Sequence, residues 1–116
     1  MNNLPYKSQN DFRARRINGH LMNQNLNKEV LLVGRVVENG PEYSIVEASD
    51  GQNVRVKMSS GNTYTSSHVE VAGKIQKDER GLFIYEHLSR DFGDSFDFES
   101  YDQLVGLMNG KFNHLF

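Results

Sequence analysis

The stretch Glu29-Val30-Leu31-Leu32-Val33-Gly34-Arg35-Val36-Val37-Glu38 decides the fold of this chain. Its β-branched and aliphatic residues predict a long β-strand, and the apolar run Val30–Val33 predicts burial on both faces. Gly34 interrupts the strand near its middle, where a glycine is typical of a bulge or a sharp bend. A first strand that bends can pair in two directions, which is how a small closed barrel is built.

Length and composition indicate one intracellular domain. The chain has 116 residues, of which 37% are hydrophobic and 24% charged, enough for one compact core. It has no cysteine, which excludes disulfides and thiolate metal sites. No run is long enough to span a membrane and the first residues lack a signal-peptide core, so we expect a soluble protein without a membrane partner. The net charge of −2 argues against binding nucleic acid through bulk charge, although a local basic patch remains possible.

The chain before the long strand divides into a tail and a short helix. Residues 1–12 are polar and without periodicity, which predicts a mobile tail. A basic cluster follows, formed by Arg13, Arg15 and Arg16; it could contact phosphate or simply be solvated. Apolar residues between positions 21 and 26 are spaced for a short helix, and Asn18 is its expected N-cap. This helix is expected to plug one open end of the barrel.

Four further strands are predicted after the long one. They are Tyr43–Ala48, Asn53–Met58, His68–Lys77 and Leu82–Leu88. Turn signals separate the first pair and the last pair at Ser49–Gln52 and Asp78–Gly81, which predicts two hairpins. Gly73 interrupts its strand as Gly34 does. Five strands in this arrangement predict an all-β fold with terminal helices: a five-stranded Greek-key barrel of the OB-fold type over residues 13–90.

Residues 91–116 are predicted to form an acidic linker and an amphipathic helix. From Phe98 onward, apolar residues recur every three or four positions and draw one stripe along a helix. Its members are Phe98, Tyr101, Leu104, Val105, Met108, Phe112 and Leu115, and Leu107 widens it at one edge. Ser100 is the expected cap, and Gly106 and Gly110 each lower helix propensity by about 1 kcal/mol. The helix therefore needs a surface to pack on, either its own barrel or a partner helix.

Several short motifs occur in an order and spacing that resemble a known family. They are Arg16-Ile17-Asn18, Val33-Gly34-Arg35, Ser49-Asp50-Gly51, Val69-Glu70-Val71-Ala72-Gly73-Lys74 and the terminal helix. Over about residues 16–112, the chain resembles the smallest subunit of replication protein A, the eukaryotic heterotrimer that binds single-stranded DNA.

The resemblance implies a role and partners. The C-terminal helix would join helices from two larger OB-fold subunits, the middle and the large one, and the barrel would be mainly architectural. The complex would act on single-stranded DNA in the nucleus, in replication, repair and recombination. Telomere complexes use a related small OB subunit, and the sequence does not separate the two.

An OB-fold that binds single-stranded nucleic acid uses the outer face of its second and third strands, its flanking loops and stacking aromatics. The candidates here are Arg35, Tyr43, Arg55, Lys57, Phe83 and Tyr85. Cations on an exposed strand face are usually just solvent-facing, and Phe83 and Tyr85 could lie under the terminal helix.

The sequence offers no catalytic constellation. The four histidines are far apart with no cysteine near them, which makes a zinc site improbable. Asp91-Phe92-Gly93 matches a kinase tripeptide without any other kinase motif, and the acidic residues around it lack the spacing of an EF-hand loop. We therefore expect no enzyme activity, metal or cofactor. Three hypotheses remain: an assembly subunit, an independent nucleic-acid-binding module, and an OB protein that associates with itself.

Overall fold

The computed structural model describes residues 14–58, 64–93 and 97–110, which hold six strands and two helices. The strands are β1 (Arg15–Ile17), β2 (Glu29–Asn39), β3 (Tyr43–Ala48), β4 (Asn53–Lys57), β5 (His68–Asp78) and β6 (Gly81–Gly93). A 3-10 helix spans Gly19–Asn25, and helix α1 spans Phe98–Asn109. Neither helix has the length and apolar character needed to cross a membrane. The tail predicted for residues 1–12 lies outside the described ranges.

Strands β2 to β6 close into a barrel. Their order is β2-β3-β4-β6-β5, and β2 pairs again with β5. The ring is completed by a short parallel pairing of β4 with β6, at Val56–Ile84 and Lys57–Tyr85. The predicted five-stranded OB-fold is therefore confirmed. Strand β1 is an addition that the sequence analysis missed; it runs parallel to β2 outside the ring, where only a basic cluster was expected.

Strand β2 changes its pairing partner around Gly34. Strand β2 pairs with β5 from Glu29 to Arg35 and with β3 from Gly34 to Asn39. A Cβ at Gly34 would stand 2.6 Å from the carbonyl oxygen of Glu47 on β3, so only glycine allows the two backbones to approach this closely. The bulge itself lies three residues later, between Val36 and Glu38.

The barrel interior is mainly apolar and includes a buried tyrosine–glutamate pair. Its core cluster is Ile17, Met22, Val30, Leu32, Val46, Ala48, Val54, Val56, Tyr64, Val69, Val71, Ile75 and Ile84. Met22 comes from the 3-10 helix, whose predicted cap is confirmed because the Asn18 side chain accepts a hydrogen bond from the Leu21 amide. Tyr64 donates its hydroxyl to the buried carboxylate of Glu86 at 3.2 Å. Burial, with the charge of Glu86 second, raises the pKa of Tyr64.

Two predicted boundaries near the C-terminus were wrong. Strand β6 continues to Gly93 and pairs with the start of β5, so Asp91–Gly93 belong to the barrel rather than to a linker. The N-cap of helix α1 is Asp97, not Ser100, because the Asp97 carboxylate accepts from the Ser100 amide at 3.1 Å and from its hydroxyl at 2.8 Å. Those hydrogen bonds, the amide first, lower the pKa of Asp97. A carboxylate just before the first turn is the better acceptor for the unpaired amides of a helix start.

Candidate assembly helix and nucleic-acid face

Helix α1 packs one side on the outer surface of its own barrel. Val105 is fully buried, and Tyr101 and Met108 are half-buried. Val33 on β2 is also fully buried, although it alternates with the interior side chain of Leu32 and does not belong to the interior cluster. The helix lies against β1 on the outside of the barrel, where Val33 is also buried.

Polar contacts fix the C-terminal end of the helix to β1. The Arg15 guanidinium donates to the carbonyl oxygen of Met108 at 3.0 Å, one of the last-turn carbonyls that lack a partner within the helix. In return, the Asn109 side chain donates to the backbone oxygen of Arg16 at 2.8 Å. The helix thus lies on the side of β1 that does not pair with β2. Its contacts there explain how three residues form a stable strand.

The N-terminal half of the helix is anchored by one carboxylate. Asp102 accepts hydrogen bonds from the Asn18 amide group at 2.9 Å and from the Ser49 hydroxyl at 2.7 Å. These partners follow β1 and β3 in the chain, so the helix runs antiparallel to β1. Its position and direction on the barrel are therefore set by contacts at both ends.

A buried carboxylate ties the helix to two strands of the barrel. Glu70 on β5 is 6% exposed and forms ion pairs with Arg16 at 3.0 Å and Arg90 at 2.7 Å. Arg16 also donates to the Tyr101 hydroxyl at 3.2 Å. Burial would lower the pKa of Arg16, but its contacts with Tyr101 and Glu70 outweigh burial and raise it. Arg15 and Arg16 therefore serve to hold the helix, and Arg13 lies outside the described residues.

The other side of helix α1 is bare. Leu104 is 41% exposed and Leu107 is 50% exposed, and the position where Gly106 would carry a Cβ opens onto empty space. The predicted stripe is thus divided: Tyr101, Val105 and Met108 face the barrel, and the two leucines do not. The side chain of Phe98, together with Phe112 and Leu115, falls outside what the structure describes. Its own barrel therefore covers one side of the helix, and a partner helix on the exposed side stays a prediction.

On the predicted nucleic-acid face, the central cation is Arg55, and it is paired with a carboxylate of the chain itself. The Arg55 guanidinium binds Asp78 through two hydrogen bonds of 2.7 and 2.9 Å, which lower the pKa of Asp78. The same guanidinium lies 4.9 Å from the ring centroid of Tyr43 and 5.2 Å from that of Phe83. Phe83 is 7% exposed, but it is buried against Tyr43 and Arg55 rather than under the helix. Three of the six candidates are therefore occupied by contacts within the chain.

The other three candidates differ in how available they are. Arg35 is paired with Glu47 through contacts of 2.7 and 3.0 Å. Lys57 is exposed, and so is Tyr85, which is its register neighbour on β6. Lys74, which the sequence analysis did not select, lies on the other side of Tyr85. No sequence signal identifies Lys74 as a neighbour of Tyr85 or Asp78 as the partner of Arg55. Both contacts depend on how β6 inserts between β4 and β5.

Within the described residues, no group of three histidine, aspartate or glutamate side chains is arranged to hold a metal ion. The fold and the helix together define a small OB-fold protein with one C-terminal helix, docked on one side and exposed on the other.

Comparisons with known proteins agree with that class. The family model described as "Replication factor A protein 3" matches residues 9–116. The replication protein A 14 kDa subunits B and A of Arabidopsis thaliana are 33% and 28% identical to the chain, each over 86% of it and 91% of their own length. A structure of U. maydis replication protein A bound to single-stranded DNA contains a chain with a TM-score of 0.74 and 25% identity, covering 89% of this chain and 94% of that one. The chain therefore belongs to the replication factor A protein 3 family, the smallest subunits of replication protein A.

Proposed function

We propose that the chain is the structural subunit of a heterotrimeric complex that binds single-stranded DNA, and that helix α1 joins it to two larger OB-fold subunits. The observation that carries this proposal is the exposure of Leu104 and Leu107 on a helix whose opposite side is fixed to the barrel. Large apolar side chains next to each other on one helix face are the usual anchors for a partner helix.

The docking of helix α1 on its own barrel lowers the free-energy cost of assembly. Complete burial of a leucine side chain contributes about 1.5–3 kcal/mol, and roughly half of that remains available for each of these two residues. Because contacts with the barrel already order the helix, assembly does not have to supply the free energy for folding it. A docked helix is therefore a better partner than a flexible one.

The relatives reported above favour replication, repair and recombination over telomere maintenance as the setting, and the nucleus as the location. They are subunits of replication protein A, and the related U. maydis complex was solved with single-stranded DNA. A small subunit of a telomere-associated complex remains the alternative.

The proposal is tested by purifying the tagged full-length chain from its native cells at moderate salt, with nuclease present. Mass spectrometry of the bound proteins is expected to find two larger OB-fold subunits in equal amounts. Their identity decides between a replication and a telomere complex. A chain that returns alone, or only with copies of itself by light scattering, would contradict the assembly role and favour self-association.

A further inference from the structure

An exposed aromatic residue lies between two lysines on the outside of the barrel. In the register of the sheet, Tyr85 on β6 is paired with Lys57 on β4 and with Lys74 on β5. Residues paired in register project from the same face, and strand alternation places this face outside, opposite the buried Val56 and Ile84. Tyr85 is 37% exposed, and the two lysines are separated by two strand spacings, about 10 Å.

The two lysines are available for an external partner. Within the described residues neither forms an ion pair, whereas Arg35 and Arg55 on the same barrel are each paired with a carboxylate. The acidic residue nearest in register is Glu29, which follows Lys74 in the row and contacts His87 at 3.1 Å.

The aromatic surface extends beyond one ring. The ring of His87, two residues along β6, lies 5.9 Å from the ring of Tyr85 and is also exposed. Two exposed rings in succession, bordered by unpaired cations, are the arrangement with which OB-folds hold single strands: bases stack on the rings and phosphates contact the cations.

We propose that Lys57, Tyr85 and Lys74 form a contact site for single-stranded DNA, with a base stacked on Tyr85 and the two ammonium groups at the flanking phosphates. The site lies beside the Arg55–Asp78 pair rather than on it, because Asp78 already occupies that guanidinium. The identity of the strand as DNA rests on the proposed function; the contact between this face and a single strand does not. With two free cations and a chain charge of −2, the binding is weak, and its dependence on salt corresponds to about two phosphate contacts.

The test uses the full-length chain and a fluorescent thymidine oligonucleotide of about 10 nucleotides, with anisotropy measured over a range of low salt concentrations. Tyr85→Ala is expected to weaken binding by about tenfold, and Tyr85→Phe, which keeps the ring, to bind like the wild type. Replacing Lys57 and Lys74 with alanine is expected to reduce the slope of log K against log salt by about 0.7 per lysine.

The matched control is Lys77→Ala. Lys77 is exposed on the same strand as Lys74 and carries the same charge, but alternation directs it to the other face. This variant is expected to keep most of the affinity and the full effect of Tyr85. The bases of a duplex are paired and stacked on each other, so few of them can stack on Tyr85. A duplex of the same length is therefore expected to bind more weakly than the single strand.

The proposal would be overturned by equal losses in the Lys77 control and the double-lysine variant, by wild-type binding of Tyr85→Ala, or by no binding at low salt. Purification of the double-lysine variant from cells separates this outcome from a failure of the assembly role. If assembly depends on helix α1, the double-lysine variant still brings down its partners while its oligonucleotide binding is reduced. A wild-type chain that binds the oligonucleotide but brings down no partners would count against the assembly role only.

Discussion

Replacing Leu104 and Leu107 together with aspartate is expected to prevent assembly while leaving the barrel folded. Both side chains are on the bare side of helix α1 and make up the exposed apolar surface that a partner helix would cover. Neither takes part in the hydrogen bonds that dock the helix, so the contacts of Arg15 and Asp102 remain in the double variant.

The expected magnitude follows from the exposure of the two residues. Leu104 is 41% exposed and Leu107 is 50% exposed, so assembly can still bury about half of each side chain, or about 1 kcal/mol per residue. Placing a carboxylate at each position adds a desolvation cost of several kcal/mol per charge. A total of about 5 kcal/mol or more corresponds to an affinity reduced by at least about 10³-fold.

The assay is co-expression with the two larger subunits followed by size-exclusion chromatography, and thermal unfolding of each isolated variant serves as the folding control. Leu26→Asp is the matched substitution, because Leu26 is also 41% exposed but follows the 3-10 helix at a distance from α1 in the chain. A double variant that assembles as tightly as the Leu26 variant would refute the reasoning. Met108→Asp is a poorer test, since Met108 is half-buried on the side of the helix that faces the barrel, so a carboxylate there would disturb docking and assembly together.

Three further substitutions probe the barrel. Gly34→Ala is expected to lower the free energy of unfolding by about 1–3 kcal/mol in urea, since its Cβ would press on the backbone of Glu47; an unchanged midpoint would contradict that close approach. Tyr64→Phe removes the hydroxyl that Glu86 accepts from and is expected to cost about 1–3 kcal/mol. Burial raises the pKa of Tyr64 above its usual 10.0, so in the wild type the contribution of Tyr64 to the free energy of unfolding is complete below pH 10 and declines above it. The variant should lack that component of the alkaline decline. Asp78, whose pKa is lowered from 3.8, stabilises the fold above about pH 4 and progressively less below it; Asp78→Asn should flatten this acid limb, and an unaltered limb would disprove the contribution.

The barrel could be predicted from the sequence because its signals are local. Strand alternation, the Asp-Gly turn near Asp50 and the glycine in the long strand each depend on residues a few positions apart. Strand β1 could not be predicted in this way, since three residues carry no measurable period. Its existence depends on pairing with β2 and on the cover that Asn109 provides from almost the other end of the chain.

The candidate sites were harder to predict because their state depends on contacts that are distant in sequence. The residue types of Tyr43, Arg55 and Phe83 are appropriate for binding a nucleic acid, yet the hairpin between β5 and β6 brings Asp78 onto the guanidinium. The stripe on helix α1 likewise predicts an amphipathic helix, but only docking reveals which apolar residues the barrel covers and which it leaves exposed. Residue type thus predicts chemical capacity, and tertiary contacts decide whether that capacity is available.

Helix α1 has one side packed on the barrel and one side exposed, and this arrangement gives the barrel a structural role. A free 12-residue helix containing Gly106 would be marginal in water, and ordering it would cost about 1–2 kcal/mol per residue. The contacts of the helix with β1, including Arg16, and the burial of its own Val105 offset that cost when the chain folds. The leucines on the bare side are then presented on an ordered helix at a fixed position, so their burial can contribute to affinity for a partner. In the proposed assembly, the barrel therefore converts a weak helix into an ordered surface for a partner, and the outer face of β4, β6 and β5 stays available for the proposed contact with a single strand.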